Sequence, residues 1–544
     1  MSRPADASMS CDVVVVGSGV AGAHTAFALA RKQLRVIVLE AGRRYDRGSL
    51  VANFHANPDK GPQSPYPPDP FAPFPEDGEY GEFYVNSVQS SHPFVGAYLR
   101  LVGGTSWHWT GFADRLRPAD FEMRSRYGVA TDWPIRYREL ERHYEEAERQ
   151  WGVAGDPRFT WGAPRKSGFP LPRIPGTHLD AVVGQVLGRL GLTAGLFSHG
   201  RNSIANDGRP ACCGSNSCVP ICPIGAKYDA SVHVAKAVQA GAQLVEQARV
   251  DFVEIGTDKA VAAIYARRPD NTVLRVQARH YVLACHAIET PRLLLNSAQE
   301  TAPRGVANSS DNVGRYLLTQ GNVDVRGLTA DPVFPNRGPQ QTSGIEQFRD
   351  GGFRRDMAAV GTSFMNSGWS GNMDAIDLAR ELIQTGLKGT ALVAALRDGM
   401  ARHLRLNSSA ETLPDRANRI TLDPSARDSA GVPRPLIRFV MDDYTKRGLT
   451  GAVAVNRQIF AALRARDVRV GEPYLSNAII AGTTRMGRDR QTSVVDANLR
   501  THDHANLYIV GPGTHVTAPV NAPSLTVTAL AYRLAAALDS VARR

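Results

Sequence analysis

Four of the six cysteines in this 544-residue chain, Cys212, Cys213, Cys218 and Cys222, fall within eleven positions, CCGSNSCVPIC. Four thiols spaced C-C-x4-C-x3-C, with glycine and proline among them, suit a socket built around inorganic atoms. In a reducing compartment clustered cysteines are more often metal ligands than disulfides. An iron–sulfur cluster, a structural zinc and a disulfide pair remain the readings of this run. Cys11 and Cys285 stand alone in the apolar runs CDVVVVG and YVLACHA, where a thiol behaves as a small core hydrophobe.

A second chemical signal lies at the N-terminus. CDVVVVGSGVAGAHTAFALARKQLRVIVLEAG reads as buried strand, glycine turn, helix and second strand. Gly17, Gly19 and Gly22 supply G-x-G-x-x-G: a tight turn, a close approach for a pyrophosphate, and close packing of helix on strand. Glu40 ends the next strand, where its carboxylate can accept hydrogen bonds from both ribose hydroxyls of an adenosine. A nicotinamide and a flavin dinucleotide fit this unit equally well.

Composition bounds what these elements belong to. The length exceeds what one hydrophobic core supports, so two domains are expected. Charged residues make up 21% and hydrophobic ones 43%, as in a globular protein. The net charge of +11 is scattered among acids, with no basic block, so no nucleic-acid partner is expected. No apolar run is long enough to span a bilayer. MSRPADASMSCDVVVVG has no charged region leading into an apolar one, so a cytoplasmic location is expected.

Three further stretches, YLRLVGGTSWHWTGFADR, YVLACHAIETPRLLLNSA and NLYIVGPGTHVTAPVNAPSLTVTALAYRLAAAL, resemble in order and spacing the glucose-methanol-choline (GMC) family of flavin oxidoreductases. The cysteine segment through Val250 is similar to the large subunit of that family's bacterial sugar dehydrogenases. The resemblance covers Cys11 to about Asn322 and about Glu411 to Leu538. It implies FAD as cofactor and an iron–sulfur cluster, three-iron ahead of four-iron, held by Cys213, Cys218 and Cys222 with Cys212 as neighbour or fourth ligand. Electrons would then pass from flavin through the cluster to a cytochrome or other acceptor. A small chaperone-like subunit bearing an export signal would make the location periplasmic instead. The resemblance also places Gly103, Gly104, His108 and Trp109 against the flavin, with His108 where some members attach the flavin covalently. Val250, Gly511, Ala522 and Pro523 are further implied cofactor contacts.

The catalytic positions depart from the family pattern. Where the sugar dehydrogenases carry a histidine base, in H-x-x-G-T-x-x-M-G, this chain reads IIAGTTRMG and has Ile479. At the partner position it has Ala522, with Asn521 one residue early, and Thr319 and Gln320 replace an acid and a histidine. A positioned base contributes about 10²–10⁴-fold to such an oxidation. His515 is the histidine that sequence offers as replacement, with Asn521 orienting the hydroxyl.

The expected fold is α/β: a Rossmann-like FAD-binding domain with a parallel sheet, interleaved with a substrate domain on an antiparallel sheet. Residues 9–325 and 476–544 form the first, including a proline-rich cofactor cover at 50–80 and the cysteine loop at 210–225; residues 326–475 form the second. In the latter, NMDAIDLARELIQTGLKGTALVAALRDGMARHL has helical periodicity and is expected to give two helices over the substrate cavity, and Ala410 to Tyr444 to give paired strands. Three functions remain open: a dehydrogenase of a sugar, glycoside or related alcohol; a flavoprotein of this fold with other chemistry; and a catalytically silent subunit.

Overall fold

The computed structural model describes residues 4–57, 61, 63–75, 83–158, 162–367, 375–518, 520 and 522–542. The run of four valines, Val13–Val16, lies inside the strand Ala7–Val16 and is almost wholly buried. Both faces of this strand are covered, and a strand covered on both faces reads as a continuous apolar run. It pairs in parallel with Val36–Leu39 on one side and Val273–Leu283 on the other. The sheet continues in parallel to Gln243–Val245 beyond Val36–Leu39, and Leu507–Ile509 joins the C-terminal part of Val273–Leu283. The N-terminal part of that strand instead pairs antiparallel with Val261–Arg267, which carries Arg249–Ile255. The helices Val20–Ala30, Tyr137–Trp151 and Ser524–Ala542 pack on one another over the core of this sheet.

A second seven-stranded sheet is antiparallel. Its order is Arg466–Val470, Gln320–Leu328, His403–Glu411, Val360–Phe364, Ser343–Ile345 and Ala194–Leu196, with Tyr474–Leu475 also on Gln320–Leu328. Alternation decides its two faces. Val323, Val325, Leu404 and Leu406 are buried toward the helix Asp443–Ala462, whose Leu449, Ile459 and Phe460 are buried against them. The intervening residues are polar. The expected boundary after residue 325 falls inside Gln320–Leu328, and Ala194–Leu196 enters this sheet from the preceding segment. The two sheets are therefore more interleaved than the sequence division implied.

Two expectations need correction. The paired strands Arg419–Arg427 and Pro433–Arg438 do form around the D-S-A-G turn, but with Val85–Asn86 they make a separate small sheet. The two expected helices also form, at Ala375–Gln384 and Gly389–Arg402, but they pack on each other and line no part of the large cavity. Ile376, Ile383 and Val393 on them are exposed, because this hairpin projects from the sheet instead of closing over it.

Candidate active site

The two large sheets meet around a cavity of about 930 Å³, and the glycine turn stands at one end of it. Gly17 has φ +96°, which an L side chain rarely adopts, and a Cβ there would lie 2.6 Å from the Ala284 carbonyl oxygen. A Cβ at Gly22 would lie 1.9 Å from the Gly17 carbonyl oxygen, so this glycine lets helix meet strand. Gly19 differs: its φ is −64° and an added Cβ meets nothing within 4 Å, because it points into the cavity. Gly19 caps the helix Val20–Ala30 with no side-chain cap and no acid in the first turn. That helix end leaves orphan N–H donors and positive potential facing the cavity, the requirement for a pyrophosphate.

Glu40 lines the cavity beside this turn. Burial pushes its carboxyl upward, opposed by hydrogen bonds from Gly42 N (3.0 Å), Ser18 Oγ (2.6 Å) and Ser18 N (2.9 Å). These bonds fix the carboxylate and leave lone-pair capacity for a ribose. Gly104, His108, Trp109, Val250, Gly511, Ala522 and Pro523 also line the cavity. Gly103 stands behind the wall instead, donating its N–H to Ser18 Oγ at 3.1 Å and crowded by Ser231 and Trp107. His108 is held neutral, pushed down to about 3 by burial and the Lys227 charge, and its Nδ1 is buried without a partner among the described residues. Within the proline-rich segment, Tyr66 and Phe74 are buried with Leu99, Leu101 and Trp107, and Gln63 lines the cavity.

Residues that sequence reasoning placed elsewhere also reach the cavity. Cys285 lines it, its thiol pushed up to about 12 by burial, and His286 stacks on Tyr98 at 4.6 Å. Glu289 accepts from Arg100 at 2.7 Å and from Tyr98, and lies 3.3 Å from Arg292, which also pairs with Asp428 at 2.7 Å. Burial alone would raise the Glu289 carboxyl, but these cations hold it at about 2. Glu289→Gln is therefore expected to lose about 3–5 kcal/mol in denaturant unfolding, since it leaves two buried guanidinium groups short of charge. The unfolded carboxyl titrates near 4.3, so this contribution is complete above about pH 5 and fades as pH falls through the folded value. The stability gap between wild type and variant should close in acid.

The polar face of the antiparallel sheet forms the other end of the cavity. Asn322, Ser363, Arg405, Asn407 and Ser409 line it, with Tyr474 beside them. Asp324 orders this floor: Asn407 Nδ2 donates to it at 2.9 Å, Tyr474 Oη at 3.2 Å, and Arg405 lies at 3.2 Å. Asn322 Oδ1 is buried without a partner among the described residues. Asp114 and Glu346 contribute carboxylates on this side, the latter paired with Arg349. The signal that could have found the floor was the strict alternation in QGNVDVRGL and HLRLNSSAE.

The expected catalytic residues fare unevenly. Ile479 and Ala522, expected at the family's base and partner positions, both line the cavity. Gln320 also lines it and donates through Nε2 to the Val520 carbonyl at 2.6 Å, whereas Thr319 is buried and donates to Ser476 O. His515 does not line the cavity. It is fully buried against Trp133 at 5.1 Å, held neutral at about 3 by burial, with neither ring nitrogen partnered among the described residues. The proposed base role thus has no geometric support. Asn521 lies outside the described residues.

The cysteine loop borders the same cavity through Val219. Cys218 and Cys222 are buried and Cys212 half-buried beside them, each within electrostatic reach of the Cys212 thiol, while Cys213 is exposed. Of the ligands the resemblance implied, Cys213 is exposed and Cys218 and Cys222 are buried. Among the described residues no three His, Cys, Asp or Glu side chains converge as a ligand group. What surrounds the thiols is positive. Arg201 Nη1 donates to Cys218 Sγ at 3.4 Å, and the Lys227 backbone N–H donates to Cys222 Sγ at 3.4 Å.

Comparisons with known proteins agree with this geometry. The GMC oxidoreductase family pattern matches residues 191–320 and 414–531, and that of the FAD dependent oxidoreductases matches 12–197. The chain is 34% identical to the fructose dehydrogenase large subunit of Gluconobacter japonicus over 98% of both chains. It is 26% identical to the 2-methyl-1,2-propanediol dehydrogenase of Mycolicibacterium austroafricanum, over 98% of this chain and 95% of that one. It is 28% identical to paromamine 6'-oxidase of Streptomyces fradiae, over 98% and 92%. The crystal structure of pyridoxine 4-oxidase from Mesorbium loti superposes with a TM-score of 0.64 at 18% identity, covering 97% of this chain and 99% of that one, and shares the fold. With its uncapped helix end, its open Gly19 and its buried Glu40 ready for the dinucleotide, this chain belongs to the GMC oxidoreductase family and is an FAD-dependent oxidoreductase acting on CH–OH donors.

Proposed function

We propose that the chain oxidises a hydroxyl of a sugar, glycoside or related polyol and passes the electrons through an iron–sulfur centre at the cysteine loop to an external acceptor. The observation that carries the substrate class is the floor of the cavity. Neutral amides and hydroxyls, Asn322, Ser363, Asn407 and Ser409, face the space where hydrocarbon faces would suit an apolar alcohol. Bound FAD supplies the hydride acceptor of the reaction. The chain's own residues bind and orient: the floor donates to and accepts from several hydroxyls at once, and Ile479 with Ala522 keeps water from the reacting edge. The names of the relatives, acting on fructose, a propanediol and paromamine, all denote hydroxylated compounds and support the class. A panel of sugars, glycosides, polyols and amino sugars, screened by anaerobic flavin bleaching, tests it. Bleaching by apolar alcohols alone sinks the substrate class, and turnover without net electron transfer favours other chemistry on this fold.

The electron exit rests on charge. Arg201 and Lys227 are each 1% exposed, and burial pushes the Lys227 ammonium down to about 8, opposed by the Cys218 and Cys222 thiols and by Asp229. Burying a cation costs several kcal/mol, and an anionic group at Cys218 and Cys222 would offset part of that cost. The cysteines of this loop, Cys212, Cys213, Cys218 and Cys222, would hold the cluster, with the thiolates supplying the negative charge that binds ferric iron. Protein prepared anaerobically should contain iron and acid-labile sulfide, and Cys218→Ser should lose both together with the broad absorbance beneath the flavin bands. Zinc in place of iron refutes this exit. The name of the relative that is a large subunit supports a further proposal, that a small subunit and an electron acceptor assemble with this chain.

A further inference from the structure

The floor of the cavity holds its polar groups in one orientation. Asp324 and Asn407 face each other across the strand pair Gln320–Leu328 and His403–Glu411. Asn407 Nδ2 donates to Asp324 Oδ1 at 2.9 Å and to Tyr474 Oη at 3.0 Å, and Tyr474 Oη donates onward to Asp324 Oδ2 at 3.2 Å. Burial and the Asp324 charge push the Tyr474 phenol well above its ordinary range, which keeps it a donor. An ionised carboxylate only accepts, so Asp324 turns the amide nitrogen toward itself, and both hydrogens of that nitrogen are used. Asn407 lines the cavity, and its amide oxygen, with Ser409 Oγ at 3.5 Å, is the group left to meet a ligand. Asn322 Oδ1, buried without a partner among the described residues, is a second amide acceptor of this floor. Of the described residues that line the cavity from the strands of this sheet, Arg405 is the sole cation. Its Nε lies 3.2 Å from Asp324 Oδ1, so its charge is already matched.

We propose that Asp324 is the positioning residue that sets the charge specificity of this floor: through Asn407 it presents an amide oxygen to the substrate, and at Arg405 it cancels the cation that would hold an anion. The site then takes a ligand that donates several hydrogen bonds and carries no carboxylate, a neutral sugar or polyol, and rejects the uronate of the same configuration. This rests on the substrate class proposed above and adds to it the sign of charge that is excluded. A bound carboxylate would meet amide oxygens on the floor and the carboxylates of Asp114 and Glu346 on the same side of the cavity. Leaving water without a cation or donors to replace it is costly for such a group. With the Asp324 charge removed, the guanidinium fork of Arg405 becomes free to take a carboxylate through two hydrogen bonds. Arg326, its register partner on the neighbouring strand, adds to the positive potential there.

Binding can be read separately from turnover, because holoenzyme reduced beforehand with dithionite cannot oxidise a donor. Calorimetry then gives dissociation constants for matched pairs: glucose with glucuronate, galactose with galacturonate, and the best sugar of the flavin-bleaching panel with its own uronate. Wild type is expected to bind the neutral member of a pair at least about tenfold more tightly. In Asp324→Asn, which keeps the shape and removes the charge, the ratio should shift at least about tenfold toward the uronate. Asp324→Asn combined with Arg405→Gln should lose that shift, and Asp324→Glu should keep the wild-type ratio. A merely structural role would weaken both members of a pair alike, so an unchanged ratio in folded Asp324→Asn overturns the proposal. If that variant does not fold, wild type decides: uronate bound as tightly as its neutral sugar, or more tightly, overturns it. Wild type that binds no sugar and is bleached by apolar alcohols alone refutes the substrate class itself, and this proposal with it, before any variant is made.

Discussion

Gly19→Val is expected to give a folded chain that no longer retains FAD. The backbone there has φ −64° and an added Cβ meets nothing within 4 Å, so a side chain can leave the backbone there without straining the turn. The branched side chain would instead fill the space before the uncapped helix end, where the pyrophosphate must approach the N–H groups. Purified variant should hold less than about one tenth of the FAD of wild type, with far-ultraviolet circular dichroism unchanged. Gly22→Val is the informative contrast. Its Cβ would overlap the Gly17 carbonyl at 1.9 Å, so that variant should fail in folding, not in cofactor binding alone. Stoichiometric FAD in folded Gly19→Val would overturn the assignment of this cavity end.

Ile479→His should raise flavin reduction by a sugar or polyol about 10²-fold or more, because it restores a proton acceptor at a position that lines the cavity. No imidazole other than His108 and His286 lines the cavity among the described residues, and burial pushes them down to about 3 and about 4, which makes both poor proton acceptors. A base acts deprotonated, so the gained rate should increase with pH through the imidazole range near 6.5 and level above it. Ile479→Leu, which changes shape without adding a base, should show no such gain. A gain equal in both variants would assign the effect to packing. His515→Ala is expected to destabilise the chain through the space it leaves against Trp133, while flavin reduction per bound FAD stays near wild type.

How much of this was legible in the sequence differs by element. The glycine turn was legible because each glycine answers a local steric demand: φ at Gly17, contact at Gly22 and access at Gly19. The helices at Ala375–Gln384 and Gly389–Arg402 were legible as helices, since periodicity is local, but not in their placement. Periodicity tells which face is apolar and says nothing of what lies opposite. The same limit hid the polar floor. Alternation in Gln320–Leu328 and His403–Glu411 marks two faces, and only the helix Asp443–Ala462 covering the apolar one turns the other into a cavity wall.

The sequence by itself determined the dinucleotide unit and the family, because each is carried by residue identity at fixed spacing. Tertiary structure alone decided which groups share a space. It buried His515 against Trp133, left Cys213 exposed while burying Cys218 and Cys222, and brought Cys285 and Glu289 to the cavity wall. It also set Lys227 between segments more than a hundred residues apart in the chain. The reason is that proximity across a fold depends on how sheets and helices pack, and a buried charge reveals its partner only once its surroundings are fixed.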